Sequence, residues 1–98
     1  MDGRKVDRDM ARHFGRNLFH SRRWAGYSQE EVAERTGLHR TEIGMLEAGS
    51  RLPRIDTVMK LVGALGVKPE VLLAGIEWLP PGPPTSGSFL LRSERGRS

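Results

Sequence analysis

Residues 36–53, TGLHRTEIGMLEAGSRLP, concentrate side chains that form directional hydrogen bonds. His39, Arg40, Thr41 and Glu42 follow one another, and the apolar Ile43 and Leu46 stand three apart just beyond them. On a helix this spacing puts Ile43 and Leu46 on one narrow stripe and turns the polar side chains of the first turn outward. A guanidinium such as that of Arg40 can donate two parallel hydrogen bonds to paired acceptors. The segment therefore reads as a short recognition rod, anchored on one side and free on the other.

Bond-making chemistry has no comparable constellation. His13 and His20 are seven apart and can share a helix face, but no third ligand stands near them, which makes a poor metal site. There is no cysteine, hence no disulfide framework and no Cys-based zinc site. No Ser–His–Asp order, phosphate-cradling glycine loop or paired-carboxylate cleft stands out. The expectation is a protein that is not an enzyme and needs neither metal nor cofactor.

The elements that must position the rod follow from periodicity. Met10, Phe14 and Leu18 recur every four residues, with Ser21 and Arg22 continuing the face, and predict a first helix from Asp9 to a stop at Gly26. Ser28 followed by Glu31 is a capping box that opens a short second helix, with Val32 and Ala33 inward and Gly37 at its end. The third helix spans His39 to about Ala48, before Gly49. Ile55, Val58, Met59, Leu61, Val62 and Leu65 predict a fourth, closed by Gly66. Pro69 begins a fifth, to Leu73 or Ala74. Helices two and three, joined by the tight TGLH turn, make a helix-turn-helix, whose second helix is built to enter a DNA major groove.

Length and composition agree. Ninety-eight residues with a 37% hydrophobic share allow one small domain. Residues 1–8 read as a flexible, frayed N-terminus, 9–75 as an all-α bundle, and 76–98 as an arm or tail. In the arm, LPPGPPTSGS separates GIEWL from SFLLR. The alternatives are a short β-hairpin or arm that pairs with itself or with a partner chain, or disorder with Trp78 tucked onto the helical body. The final SERGRS reads as a solvated end. No apolar run follows the N-terminal charges, and no stretch reaches the roughly 18 apolar residues of a membrane span, so the expectation is a soluble, cytoplasmic protein. Net charge is +4, and residues 1–25 hold seven Lys/Arg against three Asp, which suggests a polyanionic partner.

From Phe14 to Gly75 the chain resembles the lambdoid repressor and Cro type of helix-turn-helix domain, also called the XRE type. The pieces that carry the resemblance are GRNLFHSR, GYSQEEVAERTGLHRTEIGMLEAG, RLPRIDTVMKLVGALGV and PEVLLAG. It implies a compact five-helix repressor-like bundle that binds double-stranded DNA. The function it implies is a transcriptional regulator, a homodimeric repressor on an inverted repeat. The alternative is an antitoxin that binds a toxin partner and its own promoter.

Site residues carry over by position. His39, Arg40, Thr41 and Met45 fall where bases are contacted, although His39 stands where the family usually has a Ser or Thr cap. Gln29, Ser50, Arg51, Arg54 and Arg23 fall on the phosphate backbone. Arg22 and Glu47 match a structural ion pair. Glu42 could accept from cytosine, but it is assigned to the positive helix N-terminus. Gly44 and Met45 depart from the family's long polar residues, which implies fewer hydrogen-bonded base contacts. Phe19 and Trp24 read as exposed aromatics, Trp24 alternatively covering the helix end. The expected dimer surface is Val71, Leu72, Ile76, Trp78, Phe89 and Leu90, the alternative being that Leu72 and Leu73 are intramolecular core.

Overall fold

The computed structural model describes residues 3–84 and 86–92. The expected solvated end, 93–98, lies outside them, as do residues 1 and 2 of the expected flexible N-terminus. Five helices are followed by a two-stranded antiparallel sheet: α1 Gly3–Ala25, α2 Gln29–Thr36, α3 Arg40–Glu47, α4 Ile55–Leu65, α5 Pro69–Leu72, β1 Ile76–Leu79 and β2 Ser88–Leu91.

Helix α1 begins at Gly3, six residues before the expected start at Asp9. The segment has few apolar residues, so periodicity missed it. Its charges supply local support instead: Lys5 donates to Asp9 one turn on, at 2.8 Å, and this bond holds the Asp9 carboxyl below its usual range. Further along, Phe14 and Leu18 enter the core as their spacing predicts. Gly15 lies where α1 meets the end of α3: a methyl group there would stand 2.5 Å from the Glu47 carbonyl oxygen and 2.6 Å from that of Leu46. Only a residue without a side chain lets the two backbones come so close.

The capping box forms as written. The Glu31 amide donates to Ser28 Oγ at 3.0 Å, and the Ser28 amide donates to the Glu31 carboxylate at 2.7 Å. Two of the amides left over at the start of α2 are thus satisfied. Val32 from α2, Ile43 and Leu46 from α3, and Val58, Leu61 and Leu65 from α4 close over Phe14 and Leu18, with Leu72 of α5 completing one core. Arg35 is structural: it donates to the Ala64 carbonyl of α4 at 2.8 Å while its guanidinium lies over the Tyr27 ring.

Helix α5 stops at Leu72, short of the expected Leu73 or Ala74. Its end is held by α1. Asn17 donates to the carbonyls of Leu72 and Ala74, each at 2.9 Å, and His13 Nε2 lies 2.8 Å from the Ala74 carbonyl. A carbonyl only accepts, so Nε2 carries the hydrogen. His13 is therefore a buried strut, and its helix-face partner His20 is not drawn into a ligand set; no group of three metal-ligating side chains occurs among the described residues.

The arm is a hairpin rather than disorder. Ile76 pairs with Leu91 and Leu79 with Ser88, and Trp78 faces Phe89 edge-on at 4.9 Å. Trp78 packs within the hairpin and remains half exposed, not tucked onto the helices. The strands close onto the body where the Arg92 amide donates to Gly75 O at 2.7 Å. Gly75 has φ +81°, and a methyl group on it would fall 2.0 Å from the Arg92 carbonyl oxygen, so the junction accepts only glycine.

Candidate nucleic-acid interface

Helix α3 has two unlike sides. Its inner side carries Ile43 and Leu46, both fully buried, and ends on Glu47. The Glu47 carboxylate receives Arg22 through two nitrogens, Nε at 2.5 Å and Nη2 at 3.1 Å. Arg22 also donates to the Tyr27 carbonyl at 2.8 Å. Both ionised side chains are more than nine-tenths buried. This is the ion pair expected from the sequence, and it joins α1 to α3 with its polar atoms satisfied. Gln29, expected on a phosphate, donates from its amide nitrogen to Glu47 Oε1 at 3.0 Å. That nitrogen has a second hydrogen, so the contact with Glu47 does not exhaust it.

The outer side carries the row expected to read bases. His39, Arg40 and Thr41 are exposed, and Met45, one turn on, is 39% exposed. His39 occupies the N-cap without a side-chain hydrogen bond to the helix, which fits imidazole's weakness as a cap. Gly44 lies between Thr41 and Met45 beside the Gln29 side chain. The outer side therefore has a shallow middle with long side chains at its edges.

Ser50, Arg51, Arg54 and Arg23 are all exposed, as phosphate contacts need to be. Arg51 follows α3, Arg54 caps α4 without a capping hydrogen bond, and Arg23 lies at the end of α1 with its guanidinium 5.6 Å from the Phe19 ring centre. Trp24 is 92% exposed and does not cover the helix end. The α1 face directed at the core is already filled by Phe14, Leu18 and Arg22, and Trp24 falls outside it.

Sequence reasoning missed the acidic partners of these arginines. Glu42 accepts from Arg51 at 3.1 Å, Glu30 lies 3.5 Å from Arg40, and Asp56 lies 3.3 Å from Arg54. The Arg54–Asp56 pair is two residues apart and could have been read locally. Glu42 and Arg51 are nine apart across a helix end and a loop, and Glu30 and Arg40 are on different helices, so neither follows from periodicity. All three pairs are exposed and contribute little to stability.

An α2–turn–α3 unit held by α1, α4 and α5, with a basic, hydrogen-bonding outer helix face, defines a helix-turn-helix DNA-binding domain. The chain matches the helix-turn-helix family HTH_3 over residues 21–72, more than half its length, and it belongs to that family, whose members are DNA-binding transcriptional regulators of the XRE type. It is 36% identical over 74 residues to the uncharacterized HTH-type transcriptional regulator y4dJ of Sinorhizobium fredii, covering 76% of this chain and 96% of the relative. Among solved structures it is similar to the restriction-modification controller protein C.AhdI of Aeromonas hydrophila. The TM-score is 0.61 at 35% identity, over 63% of this chain and 94% of that one. It is also similar to SinR, a master regulator for biofilm formation solved in complex with DNA. There the TM-score is 0.59 at 28% identity, over 61% of this chain and 97% of that one. No helix among the described residues is long and apolar enough to cross a membrane.

Proposed function

We propose that the protein is a homodimeric transcriptional repressor that reads an inverted repeat in double-stranded DNA through the outer side of α3. The observation that carries this reading is the exposure of His39, Arg40, Thr41 and Met45 on a helix whose opposite side is fixed in the core. Arg40 donates to the O6 and N7 acceptors of a guanine, and Thr41 and Met45 meet neighbouring base edges. Arg51, Arg54, Arg23, Ser50 and the remaining amide hydrogen of Gln29 hold phosphates, which fix the register without reading sequence. The solved complex of SinR with DNA and the naming of relatives as regulators support this reading over the antitoxin alternative.

The proposed dimer surface omits one residue expected in it. Leu72 is fully buried within its own chain and cannot contribute. Val71 and Leu73 beside it are exposed, as are Trp78, Leu79 and Phe89 of the hairpin. Two copies joined there would need to set their α3 helices about 34 Å apart, one turn of the duplex.

Selection of bound duplexes from a random pool tests the whole reading, because it reports sequence preference and half-site spacing together. The expected result is a two-fold repeat with half-sites spaced by one duplex turn. Arg40→Ala then weakens the selected duplex by about 1–3 kcal/mol more than a mixed-sequence duplex. Arg51→Ala weakens both by similar factors and flattens the dependence on salt by about one ion. An Arg40→Ala protein with its sequence preference intact would remove the base-reading assignment.

A further inference from the structure

Glu42 is the one acidic side chain in the first turn of α3. It lies one turn before Met45, on the edge of the outer side nearest the loop that carries Arg51. Its side chain is 28% exposed, and its Oε2 receives Arg51 Nη2 at 3.1 Å, while the Arg51 side chain is 53% exposed. A carboxylate thus stands within the surface that would meet DNA, and its cation is one assigned to a phosphate.

We propose that Glu42 is a specificity-determining residue that admits cytosine at one position of each half-site and penalises other bases there. The inference rests on the DNA-binding reading above. When Arg51 turns to a phosphate, Glu42 loses its partner and needs a donor. A carboxylate can only accept. In the major groove guanine offers two acceptors, thymine an acceptor and a methyl group, and adenine an acceptor beside its amino group; cytosine offers its amino donor alone. Only cytosine replaces the guanidinium without setting one acceptor against another. On unrelated sequences the carboxylate stays unpaired among phosphates, so the same residue weakens non-specific binding. Discrimination arises from a repulsive element as much as from an attractive one.

Glu30 supplies the control. It also holds an arginine of this face, Arg40, but from α2 and with 69% of its side chain exposed. Replacing it adds the same unit of charge and frees Arg40, while Glu42 and Arg51 stay in place.

The test takes wild-type protein, Glu42→Gln and Glu30→Gln through selection from a random duplex pool. Affinities are then measured for the wild-type-selected duplex and for a mixed-sequence duplex at two salt concentrations. Wild type is expected to select a cytosine at one fixed place in each half-site. Glu42→Gln is expected to lose that preference, because an amide both donates and accepts. It should bind the mixed-sequence duplex several-fold more tightly, and the ratio of selected to mixed affinity should fall about tenfold. Glu30→Gln is expected to keep the cytosine and to tighten the selected duplex at least as much as the mixed one, since the arginine it frees is the base-reading Arg40. Melting temperatures should shift by no more than a few degrees in either variant, since water screens both pairs and only the modest attraction of each carboxylate to its helix N-terminus is lost. Glu42→Gln with an unchanged consensus, or with equal gains on both duplexes, overturns the inference and leaves DNA recognition by Arg40 standing. Wild-type protein without salt-sensitive DNA affinity overturns both.

Discussion

The two sides of α3 use the same chemistry to opposite ends. On the inner side Glu47 meets Arg22 with both side chains more than nine-tenths buried, and every buried side-chain nitrogen and oxygen among the described residues has a hydrogen-bond partner. On the outer side Glu42 meets Arg51 and, from α2, Glu30 meets Arg40, all with substantial exposure. Water screens the outer pairs, so they can be broken and remade at little cost. The inner pair has no water to fall back on, so losing either partner leaves an uncompensated charge. Burial, not residue type, separates the ion pair that builds this helix-turn-helix from those available to a ligand.

The largest way to break this contrast is Glu47→Ala. It strands the Arg22 guanidinium and removes the acceptor of Gln29, and is expected to cost about 3–5 kcal/mol, lowering the melting temperature by roughly 15 °C or more. A calorimetric or circular-dichroism melt reads it directly, and a shift of only a few degrees would place water in that site. Gly15→Ala comes next. A methyl group 2.5 Å from the Glu47 carbonyl oxygen must push α1 and α3 apart, so a substitution that normally favours a helix should here cost about 1–3 kcal/mol. Gly44→Ala, on the same helix but facing outward, has the opposite sign. Its methyl group would meet only the end of the Gln29 side chain, at 3.7 Å, and chemical denaturation should show a gain of up to about 1 kcal/mol. Arg51→Ala is expected to change stability least, within about 0.5 kcal/mol in the same denaturant titration. A larger loss would mean that the outer pair also holds the loop after α3.

Much of this division was legible before any coordinates. Ile43 and Leu46 mark the inner stripe by spacing alone, and Ser28 with Glu31 writes its capping box within four residues. Both signals are local, because a helix brings i, i+3 and i+4 together whatever the rest of the chain does. The Arg22–Glu47 pair was legible only through the family pattern, since nothing within either helix relates residues 25 positions apart. The first turns of α1 were lost for a different reason: they carry charge instead of an apolar stripe, and the periodic signal vanishes although the helix does not. Leu72 left two readings open, a partner surface or the chain's own core. Only the packing of α5 decides for the core, where Leu72 is fully buried in one cluster with Phe14 and Leu18.

The sequence alone determined the order of the helices, the Ser28 cap and the glycine stops after α1, α2 and α4, the helix-turn-helix and the row from His39 to Thr41 that it exposes. These depend on contacts within a turn or two of chain. Tertiary structure decided which carboxylate each arginine meets, why Gly15 must be glycine, and that His13 and Asn17 secure the end of α5. It also decided that the last described residues form a hairpin closing on Gly75. Those outcomes depend on distances between segments far apart in sequence, which are fixed only when the helices pack around a shared core.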